Sequence, residues 1–171
     1  VRVGELEGYV AKKYIFETEE DGEWYLLSTS TTKAGANTNR DININIASSY
    51  INGKILQPNE KFSFWDTVGK CTYDKGYKDA TVYNNGKKTK GIGGGVCQVS
   101  TTVNMAVKSA GIKTNARQHS LPVSYASRED EATVSFGNID FKFTNTTGKT
   151  IMLVMGAVDG SCTCEVWAKY E

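Results

Sequence analysis

Cys97 follows directly on the run Gly91-Ile92-Gly93-Gly94-Gly95-Val96, and the only histidine in the 171 residues, His119, lies downstream of it. After the cysteine, Val99, Val103, Ala106, Val107 and Ala110 recur at helical spacing, and Gly111 ends the run. The thiol is therefore expected in the first turn of a helix. There the unpaired N–H groups and the positive end of the helix dipole favour thiolate over thiol, as a nucleophile requires. The glycines permit close backbone approach and positive φ. The backbone from Gly94 and Gly95 to Gln98 is accordingly expected to hold an oxyanion during acyl transfer, with the Gln98 side chain as a further donor. On the residues alone, a small buried structural cysteine fits as well. A phosphate loop does not fit, because no Lys-Ser/Thr follows the last glycine, and the dinucleotide fingerprint lacks its βαβ unit.

A helix from 97 to 110 carries the chain about 20 Å away. An extended return to His119 spans up to about 27 Å, so helix out and strand back would set the imidazole beside the thiol as general base and acid. The group that orients the imidazole is expected to be Asp140, with Glu131, Asp130 or a backbone carbonyl as alternatives. Arg117, two residues before His119, shares its face in an extended segment and would bind a carboxylate in bidentate fashion or form a structural ion pair. Ser120 and Tyr77 complete the candidate substrate contacts. Ser100, Thr101 and Thr102 are either secondary donors or helix residues bonded backward.

These residues need elements to position them. Residues 1–27 alternate like strands around an Asp21-Gly22 turn, ending in Trp24 to Leu27, and 28–39 reads as a loop. In 41–50, Ile42, Ile44 and Ile46 alternate as in a strand, whereas Ile42, Ile46 and Tyr50 keep helical spacing. Pro58 to Val68 reads as a half-buried strand, Thr81 to Tyr83 as a short strand before the Asn85-Gly86 turn, and 134–143 as a hairpin turning at Gly137-Asn138. Ile151 to Ala157 and Cys164 to Tyr170 supply two more strands about Asp159-Gly160. The class is α+β, antiparallel strands packed with about two main helices.

Twenty basic and nineteen acidic residues leave a net charge of +1, which excludes the basic footprint of a nucleic-acid binder. Lys87, Lys88 and Lys90 form a short basic cluster, read as a solvated loop ahead of a contact with an anionic polymer. The longest apolar stretch, Ile151 to Val158, is too short for a bilayer. The chain opens on Val1 without a signal peptide and reads as a segment of a longer protein, so membrane attachment is expected only through regions outside it. The spacing of Cys71, Cys97, Cys162 and Cys164 suits no zinc ribbon, and no metal or organic cofactor is expected. A disulfide from Cys71 to Cys162 or Cys164 stays open.

Gly91-Ile92-Gly93-Gly94-Gly95-Val96-Cys97-Gln98-Val99-Ser100-Thr101-Thr102 resembles the signature of VanW-domain proteins. The likeness continues in Asn39-Arg40, in Pro58 through Phe64, in Gly76-Tyr77-Lys78-Asp79-Ala80, in His119-Ser120-Leu121-Pro122-Val123-Ser124-Tyr125, and in Ala132-Thr133-Val134 through Asp140-Phe141-Lys142-Phe143. It covers about 28–158, so residues 1–27 are set apart as an N-terminal extension and 28–171 as the domain. The resemblance favours a helix over 39–52. It also implies a bacterial cell-envelope protein outside the cytoplasm, in a family of which some members are peptidoglycan L,D-transpeptidases acting through a cysteine thioester. The motif cysteine and histidine of that family fall on Cys97 and His119. This chain departs from it at Val103-Asn104-Met105-Ala106, where many members carry Leu-Tyr-Asn-Ala, and at 126–130, where a Pro-rich loop is usual. The implied partner is the peptidoglycan stem peptide, engaged by a monomer. A cysteine peptidase or carboxypeptidase of the same stems and a non-catalytic wall-binding module are the alternatives.

Overall fold

The last two apolar runs, separated by Asp159 and Gly160, are too close to do anything but pair as a hairpin, and this hairpin is the spine of the molecule. Strands β9 (Ile151–Val158) and β10 (Ser161–Lys169) are central in a four-stranded antiparallel sheet, with β3 (Trp24–Lys33) outside β10 and β4 (Lys54–Leu56) outside β9. The structure is a computed structural model that describes residues 24–35, 38–84 and 86–170, plus the backbone of two short antiparallel strands, β1 (Arg2–Val3) and β2 (Leu6–Glu7). The expected Asp21-Gly22 turn lies outside the described residues. Strand β3 runs on to Lys33, so half of the loop expected over 28–39 is sheet, and the boundary placed at 27/28 falls inside one strand. Its polar residues are satisfied by pairing with β10 and by buried contacts to a helix: Ser28 Oγ donates to the Ala106 carbonyl at 2.7 Å, and Thr32 and Thr102 share a 2.7 Å hydroxyl bond.

Helix α1 (Thr38–Ile51) resolves the ambiguous segment in favour of a helix. Its buried face is nevertheless Asn43, Ile44, Ala47, Ser48 and Ile51, while Tyr50 is exposed and Ile42 and Ile46 are half-buried. The apolar stripe expected through Ile42, Ile46 and Tyr50 fails because two polar side chains take core positions. Asn43 can do so because its amide is fully bonded: Nδ2 donates to the carbonyls of Lys78 and Gly94, both at 2.9 Å, and Oδ1 accepts the Lys78 amide at 2.7 Å. Helix α3 (Val96–Ser109) packs against β3, β10 and α1. It ends as its glycine demands: Gly111 takes φ +82°, its amide bonds to Lys108 and that of Ile112 to Val107, the paired bonds of a Schellman motif.

Two expectations over the middle of the chain change. The strand expected over 58–68 is split into β5 (Lys61–Ser63) and a short helix α2 (Phe64–Val68), because Ser63 Oγ accepts the Asp66 amide and starts a helix. The 134–143 hairpin reduces to a single Ser135–Ile139 bridge; the chain then leaves to form β8 (Lys142–Thr144), which pairs with β5. Phe62, Phe141 and Phe143 pack together across that pairing. Finally, β6 (Asp79–Asn84) and β7 (Lys87–Ile92) form a separate two-stranded ribbon, so the lysines read as a loop belong to a strand.

Asn43→Ala removes three hydrogen bonds from a buried site and strands the Lys78 amide. Urea denaturation is expected to show a loss of about 2–3 kcal/mol, from the cost of buried groups left without partners.

Candidate functional site

The glycine run bends because little else fits there. A Cβ on Gly94 would lie 2.6 Å from the Thr81 carbonyl oxygen and 2.8 Å from Ala80 Cβ. Gly95 has φ +112°, with Arg40 and Ile44 of α1 packed where its side chain would be. The run is tied down by Asn43 at Gly94 and by the Gly93 amide, which donates to the Lys78 carbonyl at 3.1 Å. Cys97 follows as the second residue of α3, half-buried.

One face of α3 then carries Cys97, Ser100, Thr101, Asn104 and Lys108, and a strap of irregular chain, residues 129–134, lies along it. Lys108 Nζ reaches the Glu129 carbonyl at 3.0 Å and Asp130 Oδ1 at 2.7 Å, and Asn104 Nδ2 donates to the Asp130 carbonyl at 2.8 Å. Ser100 Oγ donates to the Ala132 carbonyl at 2.6 Å, and Thr101 Oγ1 accepts the Ala132 amide at 3.1 Å. At the end of the strap the Cys97 thiol donates to the Val134 carbonyl at 3.4 Å and lies 3.9 Å from Thr133 Oγ1.

The same strap holds the imidazole. The Thr133 amide donates to the Arg117 carbonyl at 2.8 Å, which lays 117–119 beside it. Glu131 Oε2 then accepts the His119 amide at 2.7 Å and stands 3.1 Å from His119 Nδ1. Glu131 is fully buried, and it also takes Arg128 Nη1 at 2.8 Å and the Val123 amide at 3.4 Å. Burial alone would raise its pKa, but the bonds from His119 and Val123 outweigh it and hold the carboxyl below its usual range. With a carboxylate at Nδ1, that nitrogen carries the proton and Nε2 is left as the base. Nε2 faces the Tyr125 hydroxyl at 3.5 Å. Tyr83 and Tyr125 both set their rings edge-on to the imidazole at 6.3 Å, and Arg40 lies over Tyr125 at 5.7 Å. The phenol is near enough to Cys97 for their charges to interact. Thiol and imidazole thus flank Tyr125, with no direct hydrogen bond between them.

Other expected site residues lie elsewhere. Asp140 does not meet the imidazole; its oxygens take Ser63 Oγ at 2.6 Å and the Trp65 amide at 3.1 Å, at the start of α2. The Gln98 side chain is buried on the far side of the helix and donates to the carbonyls of Thr32 and Gly160, so it cannot reach an oxyanion at Cys97. Tyr77 is wholly buried with its hydroxyl beside the Cys71 thiol, not on an open groove. Arg117 and Ser120 are exposed. Of the backbone donors, the Val96 amide is taken by Gly93 and that of Gln98 by Gly95, leaving the Gly94, Gly95 and Cys97 amides without a backbone acceptor among the described residues. All four cysteines are free, with Cys162 and Cys164 in the core under β10 and Cys71 against Gly93. No cluster of metal-ligating side chains occurs among the described residues.

The protonation state of the thiol also departs from expectation. Burial raises the Cys97 pKa, and the Val134 backbone, the Thr133 hydroxyl and the charge of Arg40 offset this only in part. The helix terminus therefore does not yield a resting thiolate. Burial likewise lowers the His119 pKa against the pull of Glu131, which leaves a neutral imidazole at neutral pH. Sequence reasoning missed Arg40, Tyr125, Thr133 and Arg128, and placed Glu131 behind Asp140. Glu131 bore one signal, an acidic residue directly before the apolar Ala132 and Val134.

A likeness to known proteins accords with this layout. The model of the family described as VanW like protein matches residues 39–167, and the chain belongs to that family. It is 39% identical over 145 residues to the Uncharacterized protein YoaR of Bacillus subtilis (strain 168), covering 84% of this chain and 46% of that protein. It is 30% identical over 142 residues to the Vancomycin B-type resistance protein VanW of Enterococcus faecalis (strain ATCC 700802 / V583), covering 78% of this chain and 46% of that protein. The chain thus spans about half the length of these relatives. No solved structure matches it.

Two pH profiles follow. Alkylation of Cys97 by iodoacetamide, read by peptide mapping, is expected to keep rising beyond the usual thiol value of 9.0; a plateau near neutrality would mean a thiolate. Because the unfolded chain protonates His119 before the folded one does, stability is expected to fall as pH drops below about 6.5. Comparing thermal midpoints of the wild type and His119→Asn across that window isolates the contribution.

Proposed function

We propose that this domain is a peptidoglycan L,D-transpeptidase, with Cys97 as nucleophile and His119 as base and acid. The observation that carries the reading is the strap 129–134, one end of which fixes the imidazole through Glu131 while the other touches the thiol through Thr133 and Val134. That one segment contacts both side chains supports reading Cys97 as nucleophile, His119 as base and Glu131 as the orienting carboxylate. The thiol is protonated at rest, so it must lose its proton as it attacks. Tyr125 accepts that proton as its own passes to His119 Nε2, or the imidazole takes it directly once substrate closes the site; such bonds often tighten only on binding. The acyl oxygen is received by the Gly95 and Cys97 amides. The thioester forms as terminal D-alanine leaves, protonated by His119. The amine of a second stem then releases the acyl group as a cross-link.

Family membership supports a role in the cell envelope, and the name of the Enterococcus faecalis relative links that protein to vancomycin resistance. The domain would act outside the cytoplasm on stem peptides as a monomer, attached to a membrane only through regions beyond this segment and without a cofactor. Among the described residues no helix is long and apolar enough to cross a membrane. Water as acceptor would make the same site a carboxypeptidase. A non-catalytic stem-binding module is the reading that the protonated thiol and the missing direct thiol–imidazole bond favour.

Tetrapeptide-stem muropeptides incubated with the domain and read by mass spectrometry separate the three. A thioester on Cys97 together with cross-linked dimers is expected, and Cys97→Ser should abolish both. Glu131→Gln should slow product formation by about 10²–10⁴-fold, the usual range for a general base put out of action. Trimmed stems without dimers would mean hydrolysis; neither thioester nor product from folded, reduced protein would leave only the binding module.

A further inference from the structure

The β6–β7 ribbon bonds neither the Cys97 nor the His119 side chain, yet it reaches the imidazole through Tyr83. Its register pairs Tyr83 with Lys88 and Thr81 with Lys90. Cross-strand partners share a face, so Thr81, Tyr83, Lys88 and Lys90 lie on one side of the ribbon, while Ala80, Val82, Thr89 and Gly91 lie on the other. The first side is the one that meets the imidazole, since Tyr83 sets its ring edge-on to His119. Lys88 Nζ lies over that same ring, 5.8 Å from its centroid. Lys88 and Lys90 are both exposed, and Lys87 falls on the opposite face by its pairing with Asn84. The ribbon's one carboxylate, Asp79, is at its base and is held by the Tyr73 hydroxyl at 2.9 Å. Beneath the ribbon, Glu131 is buried and bonded by Arg128 and His119, so it presents no negative charge to an incoming anion.

We propose that Lys88 and Lys90, on the face of the ribbon that brings Tyr83 to His119, form a carboxylate-binding rim that receives the terminal carboxylate of the peptide substrate. This deepens the transpeptidase reading and rests on it for the identity of the peptide. In the bond to be cleaved, the leaving D-alanine carries the free carboxylate, so the rim would hold the leaving group while the thiol attacks the carbonyl one residue before it. Lys88 is the better placed of the two. The Tyr83 face steadies its ammonium without neutralising it, leaving N–H donors for an anion. The rim would make the site an exopeptide site, selecting stems that end one residue beyond the scissile bond over longer or amidated ones.

The test uses the Cys97→Ser protein, so that no chemistry intervenes, and compares a stem tetrapeptide bearing a free C-terminal carboxylate with its C-terminal amide by calorimetry. The acid is expected to bind about three- to tenfold more tightly at low salt, as one or two exposed ion pairs allow, and to lose that advantage at high salt. Lys88→Gln/Lys90→Gln should erase the difference, and Lys87→Gln should keep it. Equal affinity for acid and amide, a preference that survives in the double variant, or no binding of either peptide would overturn the proposal. The two readings fail separately: a carboxylate preference without any thioester in the Cys97 protein sinks the transpeptidase and spares the rim, whereas a thioester without the preference does the reverse.

Discussion

A carboxylate taken wholly out of water must be surrounded by donors or give up its charge. Glu131 is given four: the amide and ring of His119, the amide of Val123 and the guanidinium of Arg128. Those donors come from three positions in one segment with no regular secondary structure, and their shared anion is what gives that region a defined shape. The bonds between the strap and α3 continue the constraint from the carboxylate to the thiol. Most of the helix is buried, including Gln98, Ser100, Thr101, Thr102 and Asn104. Polar residues are tolerated there because strap and sheet bond them on opposite sides, Gln98 Oε1 alone among these side chains being left without a partner.

The glycine run is the counterpart of that strap. Gly94 and Gly95 let the chain pass between the ribbon and α1 with backbone-to-backbone spacing, and Asn43 fixes the passage from below. The thiol is therefore positioned by α1 on one side and by the strap on the other, while the terminus of its own helix contributes a dipole that burial overrides. On the proposed reading, a thiol in such a place would lose its proton during attack, as serine does, in contrast to cysteines that rest as thiolates beside a cationic imidazole.

Much of the fold was legible because it rests on local rules. Helix α3 was plain from its apolar spacing and Gly111, and the β9–β10 hairpin from two apolar runs about Asp159-Gly160. The lysine-rich β7 and the threonine- and serine-rich part of β3 after Leu27 were not legible as strand, since their composition is that of a loop and only pairing makes them sheet. The same held for the face of α1, where Asn43 and Ser48 displaced isoleucines from the core.

The sequence by itself determined the chemistry on offer: one imidazole, a cysteine after four closely spaced glycines, and no metal-binding pattern. These are matters of residue type and short spacing, which need no folding to be read. Tertiary structure decided which carboxylate serves the imidazole. Asp140, Asp130 and Glu131 are alike as residues, but Asp140 is consumed in starting α2, Asp130 in binding Lys108, and only Glu131 is enclosed with His119. Tertiary structure also decided the state of the thiol. A helix dipole is a local property and can be predicted from sequence, whereas desolvation depends on every chain segment that closes over the sulfur.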